Sequence, residues 1–304
     1  VNLPVGAAGS SVALADYAAT WQTNNVTVAA NGTEKIGGVD ADVTLSTEGQ
    51  SVTFVYIDGT QGWVNVLDST SNVRGAQFLT ATVSGACNTL STSGDYKIAE
   101  FKGPGTFCVS EVGGCASNNA VDFVVVAGGA SGGDGGSRAG GGGGAGGYRE
   151  SPGTATSYTA SPLGTSPMTS VTVTAQGYPI TVGAGGTATV PSPNQGGPGS
   201  NSSFSTTTST GGGGGGGESP SSPIKDGLAG GSGGGGGKGS GPDGCGGAGD
   251  TPPAPVAQGF AGGNGGGGAD PSAAGGGGGG ASAAGVVGSS CTGGAGGNGV
   301  TTQI

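Results

Sequence analysis

Runs of consecutive glycine set the terms on which this chain can fold. Residues 211–217, 233–237 and 275–280 are unbroken glycine, and glycine supplies 78 of the 304 residues. Glycine held in regular structure costs about 0.5–1 kcal/mol more than alanine, so ordering such a run carries a backbone cost that no side-chain burial offsets. A flexible linker is one outcome of that balance. The other is a fold in which glycine is present because nothing larger fits. Extended polyproline-II-type helices have three residues per turn, rise about 3.1 Å per residue and make no internal hydrogen bonds. Their N–H and C=O groups must then be satisfied by neighbouring segments, which a bare Cα lets approach closely. Consecutive glycines, instead of glycine at every third position, exclude collagen.

Punctuation favours the ordered reading. Tyr148, Phe204, Leu228, Phe260 and the Val286-Val287 pair interrupt the glycine region, where a linker would be monotonous. Residues 170–175 (SVTVTA) and 178–186 (YPITVGAGG) alternate Val or Ile with Thr, as strands with one buried face do. The glycine runs are therefore expected to be extended, mutually hydrogen-bonded and buried, with function carried by the loops between them. The strand of VDFVVVA, 121–127, is the expected base of the glycine layers.

Three regions differ in composition. Residues 1–75 read as a β-rich module, with SVTFVYI (51–57) and GWVNVL (62–67) forming a hairpin, and turns at Asn31-Gly32 and Glu48-Gly49. SVALADYAATW (11–21) is the one stretch with short helical potential. So small a core gains stability from partner subunits. Residues 76–304 read as a glycine-rich domain: a three-stranded meander of 95–101, 106–112 and 121–127 as entry, then polyglycine from 128 to 304. The fold class is thus mainly β, a β-rich module followed by a polyglycine-II domain, with almost no α-helix.

Catalysis finds little support. Histidine is absent, removing the commonest acid–base group. The lysine in GGGGGKGS, 233–240, is followed by Gly239 where a phosphate loop needs Ser or Thr, and no helix-forming segment follows VDFVVVAGGASGG. Asp40 and Asp42 lack the rest of a calcium loop. No enzyme activity, cofactor or metal is expected. The eight basic residues are scattered on a chain of net charge −10, against nucleic-acid binding, and the longest apolar run is too short for membrane insertion. Both termini read as cut or processed. Of the five cysteines, Cys108 and Cys115 flank a Gly-Gly turn and are a candidate disulfide.

The residues NGTEKIG (31–37), followed by YIDGTQGW (56–63), resemble a short β module at the ends of bacteriophage tail-fibre and virion appendage proteins. GDYKIAEFKGPGTFCV (94–109), together with VDFVVVAGGASGG, GGGGAGGYR and GSNSSFSTTTSTGGGGGGG, resembles the glycine-rich domain of phage structural proteins. The resemblance implies a non-enzymatic virion protein, the distal part of a tail fibre or appendage, homotrimeric and joined to other virion proteins. It would be extracellular and contact a host-surface glycan or protein. Receptor contacts would then lie in side-chain-bearing loops: Tyr148 and Arg149, residues 218–228 with Ile224 and Lys225, and residues 252–260 with Phe260. The alternative for Tyr148 and Phe260 is that they plug the edges of the glycine layers. A self-assembling filament without receptor binding is the competing function, and an ice-binding protein a third.

Overall fold

The computed structural model describes residues 1–69, 78–94, 96–113, 119–188, 194–219, 223–268 and 271–304. Two compact units divide the chain, Val1–Ala76 and Gln77–Ile304. All regular elements among the described residues are strands, so the fold is mainly β.

In the first unit, β1 (Ser11–Ala15), β4 (Ser51–Tyr56) and β5 (Trp63–Ser69) form an antiparallel sheet in the order β1-β4-β5. β2 (Val26–Val28) and β3 (Val43–Leu45) form a separate pair. The alternation in SVTFVY puts Val52 and Phe54 into a core with Leu3, Val28, Ile36, Leu45 and Trp63. The expected hairpin forms, while the stretch with helical potential does not become a helix: Ser11–Ala15 pairs with β4 instead. Its alternating Val12 and Leu14 are partly buried against the same core, and Asp16 ends the strand by accepting N–H bonds from Thr20, Trp21 and Gly49. The two halves of the NGTEKIG/YIDGTQGW pattern meet directly. Trp63 N donates to Lys35 O at 2.8 Å, Trp63 Nε1 donates to the Glu34 carboxylate at 3.2 Å, and Gly62 sits at φ +70°, where a Cβ would lie 1.9 Å from Lys35 O.

The second unit opens with β6 (Thr80–Ser84), β7 (Thr89–Ser93), β8 (Tyr96–Glu100) and β9 (Gly105–Glu111), then β10 (Ala120–Val121) and β11 (Val124–Val126). Next come β12 (Tyr148–Glu150), β13 (Val171–Thr172), β14 (Gly177–Thr181), β15 (Ser202–Phe204) and β16 (Thr207–Ser209). The last hairpin is β17 (Gly266–Gly267) with β18 (Ala273–Ala274). The expected meander is corrected. Its strands exist but do not pair with one another: β8 pairs with β7, β9 sits between β6 and β14, and β11 pairs with β12. The run 121–127 is split, with β10 on β13 and β11 on β12. Long-range partners win because they close an aromatic core, Phe107, Phe123, Tyr178 and Phe204 with Val109, Val125 and Val173, in which Phe204 makes edge contacts to the other three rings.

From β11 and β12 the ladder passes into glycine without a break. Val126 is paired with Tyr148, and then Ala127 N donates to Gly147 O, Ala130 N to Gly144 O and Gly133 N to Gly141 O. The bonding period has changed from two to three, that of a polyglycine-II helix. The same step recurs throughout. Gly213 and Gly216 donate to Ser232 and Gly235, Gly212 and Gly215 to Gly128 and Ser131, and Gly276 and Gly279 to Gly236 and Gly233. Residue by residue each rod turns its groups to successive neighbours. Rod 230–238 is the centre of the array, bonded to six others: 139–147, 211–217, 224–229, 244–249, 258–265 and 275–280. Its glycines are buried throughout. An added Cβ at Gly234 would meet Gly214 O at 2.0 Å, and one at Gly235 would meet Gly276 O at 2.1 Å, so no larger residue fits.

Candidate functional site

The array has two unlike ends. Rods 127–134 and 139–147 begin and finish at β11 and β12, which fixes that end as the sheet end. Their connection, 134–139, lies at the opposite end, and backbone bonds gather the other connections beside it. Asp134 N donates to Asn194 O, Glu218 N to Asp134 O, Lys238 N to Ala139 O, Gly237 N to Lys225 O, Gly244 N to Gly237 O and Gly265 N to Gly244 O. Since glycine rods offer no side chains, the chemistry of this end belongs to its loops.

Those loops hold each other by charge and carbonyl contacts. The Glu218 carboxylate accepts from Ser137 N at 2.8 Å and Arg138 N at 3.1 Å, and pairs with Arg138 Nη1 at 3.3 Å. Lys238 pairs with Asp243 and donates to Gly241 O at 3.2 Å. Lys225 Nζ donates to Pro242 O at 3.3 Å. Gln195 Nε2 bridges Pro223 O and Asp226 O, each at 2.7 Å. Outward of this frame, Ser137, Pro223, Ser240, Pro242 and Asp243 are exposed. The surface offers hydroxyls, a carboxylate and proline rings on a cross-linked base.

The sequence-derived contact residues separate between the two ends. Ile224 and Lys225 lie at the loop end, Ile224 half-buried and Lys225 buried. Tyr148 and Arg149 belong to the sheet end and are buried, so they are corrected from contact loop to framework. Lys225 is buried too, with its ammonium donating inward to Pro242 O. Phe260 is 39% exposed, on a rod whose neighbours bond its own N and O. Cys108 is exposed on β9, and Cys115 lies outside the described residues. The sequence singles out Lys238 only as a failed phosphate-loop lysine and does not single out Arg138, Pro242 and Asp243 as contacts. Three of the chain's scattered basic residues, Arg138, Lys225 and Lys238, converge here, and the available signal was charge placed beside the ends of glycine runs.

At the sheet end, Tyr148 and Arg149 flank a buried polar network. Glu150, fully buried, accepts from Tyr148 Oη at 2.9 Å, Ser161 N at 3.0 Å, Ser161 Oγ and Thr302 Oγ1. Burial pushes its carboxyl upward, and the bonds from Ser161, Thr302 and Tyr148 outweigh that, leaving it below the ordinary value. Asp122 is similar: burial acts upward, and bonds from Ser170, Thr156 and Ser151 carry it net downward. Burial, with the Glu150 carboxylate as acceptor, pushes the Tyr148 phenol up to about 12, and burial raises that of Tyr158 further. Both phenols are expected to ionise above the ordinary tyrosine range. In an alkaline titration followed by ultraviolet absorbance, Tyr148→Phe and Tyr158→Phe each remove intensity from the phase above that range; loss from a phase within it contradicts the geometry.

A polyglycine lattice closed by a sheet at one end and loops at the other defines a glycine-rich domain. The glycine-rich domain family matches residues 102–303, well over half of the chain, and the chain belongs to that family. No curated protein matches it.

Proposed function

We propose that this protein is a non-enzymatic structural component of a virion, the distal part of a phage tail fibre or appendage, and that the loop end of the glycine array contacts the host surface. The observation that carries the reading is the gathering of side-chain-bearing loops at one end of a rigid, side-chain-poor lattice. Such an array maintains loop geometry without a mobile core, and loops on rigid scaffolds are where recognition concentrates. Exposed hydroxyls and prolyl rings suit a glycan or a polar protein surface. The NGTEKIG/YIDGTQGW module in the first unit supports attachment to a larger fibre, and trimerisation would bury the large apolar side chains it exposes, among them Val5, Val39 and Leu67.

The test is adsorption. Fluorescently labelled protein is mixed with candidate host bacteria, and its ability to block phage adsorption is measured. Saturable binding is expected, weakened about tenfold or more, ~1.4 kcal/mol, by the double change Ser137→Trp and Pro242→Trp. Equal binding by that variant removes the loop end from the role, and no binding to any host removes the adhesin reading. A filament without receptor binding would instead give long regular assemblies of the purified protein in electron micrographs.

A further inference from the structure

One flank of the array leaves a line of glycine backbone unpaired. Around rod 275–280 five of six neighbour positions are taken. It donates to 230–238 through Gly276 and Gly279 and to 283–288 through Gly277 and Gly280, and it accepts from 139–147, 258–265 and 293–298. Donor and acceptor neighbours alternate around the axis, so the third donor set, Gly275 and Gly278, faces the position between 139–147 and 293–298. Their N–H groups have no acceptor among the described residues, although both residues are buried. Rod 139–147 likewise leaves the carbonyls of Gly140 and Gly143 without a donor among the described residues. These groups border an open groove of about 600 Å³, walled on its outer sides by Gly129 and by Gly293 and Gly296.

The walls of this groove are bare as well as open. Within the lattice glycine is forced, since an added Cβ would meet backbone near 2 Å at position after position. At Gly129, Gly293 and Gly296 the nearest atoms would be 3.9, 3.9 and 3.8 Å away. Nothing inside the chain requires glycine there, and all three are exposed.

We infer that the groove is a docking site for an extended, glycine-rich segment of another polypeptide, held as one more rod of the lattice. Unpaired donors three residues apart on one extended rod, beside unpaired acceptors three apart on the next, match the repeat of a polyproline-II strand, which, unlike a 3₁₀-helix, leaves its own N–H and C=O groups free for a neighbour. The bare walls at Gly129, Gly293 and Gly296 provide the clearance that backbone-to-backbone contact needs. Of the occupant's three faces, two meet rods and must be glycine, while the third points to solvent and takes any residue.

The probe is a peptide of three Gly-Gly-Pro repeats. Proline on the outward face pre-sets the required φ and gives up only an N–H that the groove does not use. Binding is followed on the full chain by amide exchange at Gly275 and Gly278, with three Val-Gly-Pro repeats as the control. The expected result is saturable protection by the first peptide only. The double variant Gly129→Leu and Gly296→Leu should reduce affinity at least about tenfold, ~1.4 kcal/mol, with its melting temperature unchanged because both side chains enter open space. Equal protection by the valine peptide, undiminished binding by the stably folded leucine variant, or no binding at peptide solubility each overturns the proposal. So does protection of these amides by self-association alone, which sedimentation of the peptide-free protein detects.

Discussion

Gly235→Ala is expected to destabilise the Gln77–Ile304 unit severely, while Gly129→Ala leaves its stability intact. The contrast follows from what one methyl group meets. At Gly235 the new carbon would lie 2.1 Å from Gly276 O, 2.6 Å from Gly276 C and 2.9 Å from Gly277 O. In a side-chain core an oversized residue is relieved by rotamer changes nearby, at about 1–3 kcal/mol. Here the obstacle is the backbone of the neighbouring rod, which has no rotamer to change. Separating the two rods stretches the bonds of Gly276 N to Gly236 O and Gly279 N to Gly233 O, and strains those of Gly235 N to Gly142 O and Gly216 N to Gly235 O. At about 1 kcal/mol per bond lost, added to the steric term, the total is expected to exceed about 4 kcal/mol. Small domains are stable by about 5–15 kcal/mol, so this single methyl removes much of the margin. At Gly129 the nearest atom would be 3.9 Å away, and the expected change is within about 0.5 kcal/mol, as for ordinary surface positions. Denaturant unfolding of the two variants, followed by circular dichroism, checks both. Similar midpoints would show that the rods are not packed as closely as their geometry requires.

The same geometry explains what could be read from the residues alone. Consecutive glycine announces backbone-to-backbone packing because no alternative offsets its entropy, and the strands show themselves by alternation, as in Val52 and Phe54 or in YPIT. Partnership does not show. β9 bonds to β14, where Phe107 faces Tyr178, and to β6, yet none of the three carries a mark of register. A consecutive meander was the economical expectation, and the demand to enclose Phe204 overrode it. In the rods, the repeat of three is invisible because every residue is the same. Gly213 and Gly214 differ in the rods they bond but not in sequence. The loop end is legible only in part for a related reason: Glu218 and Arg138 are 80 positions apart, and only the folded lattice brings the ends of their glycine runs together. Tyr148 and Arg149 were misplaced because a side chain at the end of a glycine run can close the sheet end or decorate the loop end. Chain direction within the array, set by β11 and β12, decides which.

Glu150→Ala is expected to cost about 4 kcal/mol, from buried donors left unpaired at about 1–3 kcal/mol apiece. Those donors are Tyr148 Oη, the Ser161 N and Oγ, and Thr302 Oγ1, so the change loosens strand β12, the 151–161 loop and the C-terminal segment together. Glu150→Gln keeps one oxygen as acceptor but places an NH₂ against donors, and roughly half the loss is expected. The pH dependence separates this role from simple packing. The folded Glu150 carboxyl titrates below its ordinary value of 4.5 and that of Asp122 below 3.8. A carboxyl depressed on folding contributes stability that is fully present above its unfolded value and disappears as pH falls through its folded one. Wild-type protein should therefore lose stability from about pH 4.5 downward, Glu150 contributing first and Asp122 next. Glu150→Ala, with one of the two carboxyls gone, should show a shallower loss over the same interval and a constant deficit above it. Thermal melts between pH 3 and 7 measure both. A variant whose slope below pH 4.5 matches that of the wild type would mean that the Glu150 carboxyl is not depressed on folding, so that the bonds from Tyr148 and Ser161 do not favour its charged form.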